Sequence, residues 1–240
     1  MGEAVKRVLI CAGVLSPALT PAGAFAVEPH AMVLWGVSAE QAEIRLKDGT
    51  EILAWDFDAF VGTDEVKFVL RSEAEYDLRE DAFESLENQF RIAVPVTPFF
   101  DAVAGVRVET PEGNDRVDGV IGLHGLAQQW FEVDLDLFVS DDPSVRFEIE
   151  YEGLITNRLI LTPSLEIELP LSDDASRDFG AFAPTVEVGA RLSYDLIDRL
   201  VSPYVGVHYE FALGETADRI RASGGNRDDL FFVAGARILF

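Results

Sequence analysis

Cysteine, methionine, histidine and positive charge are all scarce in this 240-residue chain. The single cysteine, Cys11, lies in a segment that we expect to be removed on export, so a mature chain would have neither a disulfide nor a thiolate metal site. Lys and Arg number 19 against 43 Asp and Glu, which gives a formal net charge of −24. Such a chain repels nucleic-acid phosphates, so no nucleic-acid partner is expected. No stretch after residue 26 reaches the roughly 18 apolar residues that a membrane-spanning helix needs.

The first 26 residues have the pattern of an export signal. Two basic residues precede the apolar stretch Val8–Leu15, and Ala24–Ala26 supplies the small-x-small site that a signal peptidase recognises. The alternative, a buried N-terminal helix, is disfavoured by two prolines within the segment. We therefore expect a signal peptide over residues 1–26 and a short periplasmic segment over residues 27–41.

What the chain does have is hydrophobic material in alternating positions. Its 17 Phe, 5 Tyr and 3 Trp exclude a chain that stays unfolded. In the stretch 130–139, apolar side chains occupy the odd positions while Glu132, Asp134 and Asp136 occupy even ones. A helix would scatter these charges around its whole circumference. The period of two therefore predicts β-strands with one apolar and one charged face.

Twelve strands are predicted from this pattern. They lie near residues 42–47, 51–61, 66–76, 87–94, 99–109, 117–125, 129–139, 145–154, 158–169, 182–196, 201–212 and 229–240. A soluble β-sandwich also alternates in this way, but short connections at one end and mostly long, polar ones at the other are typical of outer-membrane barrels. With the export signal and a last strand ending in Phe240, the pattern predicts an all-β, transmembrane, up-and-down antiparallel β-barrel of about twelve strands. We expect it over residues 42–240, in the cell outer membrane and in contact with its lipid.

If the apolar face meets lipid, the charged face lines the lumen. Acidic residues far outnumber basic ones among these inward positions. Confined carboxylates concentrate cations and repel anions, so we expect a lumen that attracts cations. The alternative is that acids and bases form salt bridges that plug and stiffen the barrel. The surplus acids would still need water, protons or metal ions as partners.

A series of short segments, in a fixed order, carries a resemblance to a known family. They are Asp48–Thr50, Leu53–Asp56, Val69–Asp77, Pro98–Asp101, Ala104–Arg107, Gly125–Ala127, Trp130–Asp134, Tyr151–Glu152, Leu159–Leu161, Pro203–Val207, Gly214–Asp218 and Phe232–Arg237. In this order they resemble the copper resistance protein B family of outer-membrane copper proteins. The resemblance implies a copper-binding barrel that takes part in copper resistance and copper homeostasis without catalytic turnover. Copper ions and periplasmic copper-handling proteins would be its partners.

The chain departs from that family ahead of the barrel. Members commonly carry a Met- and His-rich segment there, and thioether and imidazole groups are natural ligands for copper. Here residues 27–41 offer only His30 and Met32. This departure argues against a high-capacity copper reservoir.

The other two histidines are the remaining imidazole candidates. The alternation turns both His124 and His208 toward the lumen, the first near Glu132 or Asp134 and the second beside Glu210. Imidazole with carboxylates can hold a divalent copper ion, so these five residues are the predicted metal ligands. The alternative for each histidine is an ordinary hydrogen-bonding residue in a polar lumen.

Motifs of catalysis are missing from the sequence. It has no Gly-x-Ser-x-Gly elbow, no phosphate-cradling Gly-rich motif and no His-Glu-x-x-His zinc site. Neither barrel histidine is an obvious companion for the serines near strand ends. We therefore predict that the protein is not an enzyme. A cation-selective or structural porin of other cargo and a lipid-modifying barrel enzyme are the alternatives.

Overall fold

The computed structural model describes residues 32–47, 49–110, 115–197 and 199–240. The predicted signal peptide, residues 1–26, lies outside the described residues and stays a prediction. Across the ranges that are described, no helix has the length and apolar content required to cross a bilayer.

Antiparallel strands make up most of the described chain. The strands are β1 (Leu34–Lys47), β2 (Thr50–Gly62), β3 (Lys67–Asp77), β4 (Ala82–Pro95), β5 (Phe100–Thr110), β6 (Arg116–Leu126), β7 (Phe131–Val139), β8 (Ser144–Tyr151), β9 (Gly153–Leu154), β10 (Leu159–Pro170), β11 (Thr185–Tyr194), β12 (Val201–Ala212) and β13 (Asp228–Leu239). The two-residue β9 follows β8 after Glu152 and pairs with the same neighbour, β10, so the wall is twelve strands wide. Strands adjacent in the chain pair with each other, and β13 pairs with β1 to close the wall. The prediction of a twelve-strand, up-and-down barrel is confirmed.

The boundary predicted at residue 42 is wrong, because β1 begins at Leu34. The first residues of β1 pair with the end of β2, and the register then shifts between Ala39 and Gln41. Such a bulge inserts an extra residue and reverses which face the following side chains occupy. The period-two pattern is therefore broken inside β1. Residues 34–41 belong to the barrel wall and not to a periplasmic segment.

Threonine side chains build three of the short turns. In the turn between β2 and β3, Thr63 Oγ1 accepts hydrogen bonds from the backbone N–H groups of Glu65 and Val66. Thr97 and Thr156 do the same in the turns between β4 and β5 and between β9 and β10. A side-chain oxygen that takes the free N–H groups lets the chain reverse within a few residues. These turns share one end of the barrel, which we call the short-turn end.

The opposite end, which we call the mouth, carries the longer connections. The loop predicted before β13 contains a helix, α1 (Gly214–Ser223). The buried Thr216 hydroxyl accepts a hydrogen bond from the Gly180 N–H at 3.0 Å and donates one to the Ala183 carbonyl at 2.6 Å. These bonds attach α1 to the loop between β10 and β11.

The two faces of the wall reverse the arrangement found in a soluble protein. Large apolar side chains point outward, where Phe68 is 60% exposed and Phe232 is 65% exposed. Charged side chains point inward, where Arg107 and Asp118 are each 1% exposed. An apolar exterior and a closed backbone are what a bilayer requires of a spanning sheet. The architecture is that of an outer-membrane barrel.

Replacing Phe232 with Arg places a charge near the middle of the outward face of β13. We expect the free energy of unfolding to fall by about 2–4 kcal/mol, because lipid tails do not solvate a guanidinium. Guanidinium unfolding in lipid vesicles, followed by tryptophan fluorescence, measures the loss. Phe232→Leu keeps the face apolar and should cost less than about 1 kcal/mol. An arginine variant as stable as the wild type would show that this face does not meet lipid.

Candidate functional site

A polar cavity of about 580 Å³ occupies the lumen. Its lining extends from Phe179 and Asp229 at the mouth to Glu132 near the short-turn end. Nineteen acidic residues and six arginines line it, together with His208. Carboxylates therefore make up most of the charged groups that a solute in this cavity would meet.

A row of mostly acidic side chains crosses eight neighbouring strands. Each member lies directly opposite the next in the register of the sheet. We call these residues the carboxylate row: Asp101, His124, Asp134, Glu148, Glu166, Glu187, Glu210 and Asp229. Six of the eight line the cavity. Because neighbouring strands lie about 4.8 Å apart, successive members of the row are close to one another.

The row runs from one end of the barrel to the other. Asp101 lies beside the short turn before β5, and Asp229 lies at the mouth, where β13 begins. The row can climb in this way because barrel strands are tilted against the barrel axis. Five consecutive pairs, from Asp134 to Asp229, place two carboxylates directly opposite each other. Such like-charged pairs destabilise a sheet, so stability alone does not account for the row.

His124 is the member of the row next to Asp101. Its Nδ1 lies 3.2 Å from Asp134 Oδ2, and its Nε2 lies 2.8 Å from Asp136 Oδ1. Nη1 of Arg91 lies 3.0 Å from the same Nε2. Glu132, the other neighbour expected from the sequence, lines the cavity but makes no described hydrogen bond or ion pair with this ring.

His208 lies on β12, one inward position before Glu210. Its Nε2 is 3.4 Å from Glu187 Oε2 and 3.8 Å from Glu210 Oε2. Nη1 of Arg45 lies 3.2 Å from the same nitrogen. The ring is buried, and it packs against Phe231 with 6.2 Å between the ring centroids. The structure therefore brings His208 together with Glu210, as it brings His124 together with Asp134.

The two histidines lie on opposite walls of the barrel. Five strand steps separate β6 from β12 in one direction and seven in the other. A guanidinium stands against each ring and repels a further cation. Either histidine could therefore bind a metal only after its arginine moves away. In the part of the chain that the structure describes, no group of three or more His, Cys, Asp or Glu side chains is arranged to hold a metal ion.

Several charged side chains that point into the lumen were not predicted from the sequence. Glu43 is the most buried of them. Its Oε1 accepts hydrogen bonds from Arg45 and Arg191, and its Oε2 accepts them from Arg191 and Tyr204, all at 2.8–2.9 Å. Arg91 of β4 was missed as well. The signal that could have found them is the alternation of charged and apolar residues in β1 and β4.

Known proteins share the sequence pattern of this barrel. The family model described as Copper resistance protein B precursor (CopB) matches residues 33–240. Copper resistance protein B of Escherichia coli is 36% identical over 206 residues, which are 85% of this chain and 69% of that protein.

The chain belongs to the copper resistance protein B family. A second relative, the Copper resistance protein B homolog of Pseudomonas syringae pv. tomato, is 31% identical over 204 residues, which are 84% of this chain and 68% of that protein. The resemblance found in the sequence is confirmed.

The fold of this family member is similar to that of a solved porin. The NanC porin structure matches with a TM-score of 0.53 and 11% sequence identity, over 85% of this chain and 98% of that chain. At this identity the likeness shows the fold alone. Family and fold therefore agree on a β-barrel of the copper resistance protein B family.

At the mouth, the loop between β10 and β11 is tied to the wall by charge. Arg177 Nη2 lies 2.8 Å from Glu109 Oε1 on β5. Burial favours a raised pKa for Asp174, but hydrogen bonds from Ser176 and the nearby Arg116 and Arg177 outweigh it and lower that pKa. The Asp174 carboxylate therefore keeps its charge, and with it the ion pair to Arg116 at the start of β6, until the pH becomes strongly acidic.

Replacing Glu43 with Gln removes the charge that Arg45 and Arg191 share. We expect a loss of about 3–5 kcal/mol in the free energy of unfolding, because Arg191 remains buried without its counter-charge and Arg45 keeps only Glu75. Urea unfolding of the refolded barrel measures it. Glu51→Gln makes the same chemical change at an exposed position of β2 and is the matched control. Equal midpoints for the two variants would contradict a structural role for Glu43.

Proposed function

We propose that this barrel binds copper ions within its lumen and thereby contributes to copper resistance at the outer membrane. The observation that carries the proposal is the carboxylate row, which includes His124 and has His208 within 3.4 Å of its member Glu187. The chain that contains this row belongs to the copper resistance protein B family. Copper is cargo in this proposal, and no catalytic step is involved.

The charge of the cavity supports the first step, which is the capture of cations. A low-dielectric wall lined by an excess of carboxylates raises the local cation concentration. Capture would occur at the mouth, where Asp229 and Glu210 lie opposite each other. Electrostatic attraction of this kind selects for charge and does not by itself select copper.

The histidines would supply the preference for copper. Oxygen and imidazole donors suit divalent copper, whereas monovalent copper prefers thiolate and thioether groups. The His208 group offers an imidazole with Glu187 and Glu210, and the His124 group offers one with Asp134. We therefore propose that the ion bound in the barrel is divalent. Glu132 is a candidate ligand next to the second group, since it lines the same cavity.

The orientation of the barrel supports a transfer partner in the periplasm. The row ends at Asp101, beside a short turn, and short turns face the periplasm in outer-membrane barrels. A periplasmic copper-handling protein would meet copper at this end. Export through cleavage after Ala26 belongs to the same proposal.

Replacing His124 and His208 together with Ala should weaken divalent copper binding at least about tenfold, because each group loses its nitrogen donor. Titration of the purified barrel with copper, followed by calorimetry, measures the affinity. Glu215→Gln with Asp218→Asn on α1 removes two exposed acids away from the row and should change the affinity less than about twofold. Equal effects of the two double variants would mean that binding is diffuse and only electrostatic.

A cation-selective porin of other cargo is the second candidate, and the porin-like fold and the cavity favour it. Copper tolerance separates the two functions. We expect cells that lack the gene to tolerate less copper, and we expect the wild-type gene to restore tolerance while a His124→Ala/His208→Ala gene does not. If deletion leaves copper tolerance unchanged and the purified barrel binds no copper, the copper function is excluded and the porin function remains.

A further inference from the structure

We propose that Arg71 and Arg146 form a gate in the middle of the lumen, where their guanidinium groups occupy the carboxylate row until an incoming cation displaces them. The inference rests on the proposed function of the row as the place where cations bind. It adds the residues that open and close that path.

Arg71 reaches across the barrel. It lies on β3, and its Nη2 is 2.9 Å from Glu148 Oε2 on β8, while its Nη1 is 3.3 Å from Asp134 Oδ2 on β7. Four strands stand between β3 and β8 in the wall. The contact therefore spans the lumen and does not follow the sheet. Side-chain exposure of Arg71 is 10%, so little of the guanidinium is left to water.

Arg146 reaches across in the opposite direction. It lies on β8, and its Nη2 is 3.0 Å from Glu87 Oε2 on β4, while its Nη1 is 3.2 Å from Glu73 Oε2 on β3. Its Nε lies 3.2 Å from Glu166 on β10. Glu73 also lies 2.7 Å from Nε of Arg71, so the two arginines share one carboxylate and interlock.

The gate covers the centre of the row and leaves its ends free of these arginines. Arg71 holds Asp134 and Glu148, and Arg146 holds Glu166. These three are consecutive members of the row. A cation that has entered at the mouth thus meets the next carboxylates already paired with the protein's own cations. Along the row it continues by competing with them for the same oxygens.

The hydrogen bonding of the two arginines leaves room for displacement. The Nε atoms of Arg71 and Arg146 lie within ion-pair distance of Glu73 and Glu166, but neither contact has the alignment of a hydrogen bond. By contrast, both oxygens of Glu43 accept two hydrogen bonds each, which suits a purely structural cluster. Imperfectly paired buried groups lose less when an ion pair is broken. The gate has the charge needed to close the path without the complete bonding that would lock it.

A guanidinium keeps its charge at every pH that a protein tolerates. The gate therefore opens by movement of the side chains and not by their deprotonation. A divalent ion is the stronger competitor, because it brings twice the charge of a guanidinium to the same carboxylates.

Conductance of the refolded barrel in planar bilayers, in potassium chloride without copper, tests the gate. Arg71→Gln/Arg146→Gln should raise the single-channel conductance at least about threefold and shift the reversal potential in a salt gradient toward cations. Arg221→Gln removes one positive charge from the exposed face of α1 and should change neither quantity. A folded double variant that conducts no more than the wild type overturns the proposal.

Glu148→Gln separates gating from lumen charge. This substitution weakens the ion pair between Arg71 and Glu148 by removing the carboxylate charge, so it should also raise the conductance. It makes the lumen less negative, so it should lower the preference for cations. Heat-dependent gel mobility confirms that each variant is folded. If the double arginine variant does not fold, a folded Glu148→Gln barrel with wild-type conductance overturns the gate. Because no copper is present, this result is independent of the copper titration, so the gate and the copper proposal can fail separately.

Discussion

Closure of the sheet is the constraint on which the rest of this structure depends. Lipid offers no hydrogen bonds to an open strand edge, so β13 must pair with β1. Once the wall is closed, its outer face has to be apolar, and the polar residues have only the lumen left to occupy. The separation of apolar and charged residues by alternate positions follows directly from this. The crowding of charged groups into a narrow interior has the same cause.

Inside that interior the arginines have two distinct functions. Arg45 and Arg191, together with Tyr204, satisfy both oxygens of Glu43, which joins β1 to β11 and β12. Arg71 and Arg146 neutralise carboxylates across the cavity with incomplete bonding. The same ion-pair chemistry thus supports the wall in one place and controls access in another. The salt-bridged lumen expected as an alternative and the cation-attracting lumen are therefore compatible.

The alternation along the chain predicted nearly all of the fold, because each strand spans the wall and its period of two is set by backbone geometry. It also predicted that His124 and His208 face inward. It did not predict the bulge in β1, because an extra residue interrupts the period of two there. Nor could it predict contacts across the lumen. Arg71 and Glu148 are 77 positions apart, and their meeting depends on the tilt and stagger of all the strands between them.

The seam between β1 and β13 joins the two strands that are farthest apart in the sequence. Val37 and Phe240 exchange backbone hydrogen bonds at 3.0 and 2.8 Å, so the seam extends as far as Phe240. Contacts between segments far apart in the sequence form slowly, because closing a long loop costs conformational entropy before the contact adds any stabilising interaction. We therefore expect closure of this seam to be a slow step of assembly, and until it forms the outer edges of β1 and β13 have no partner.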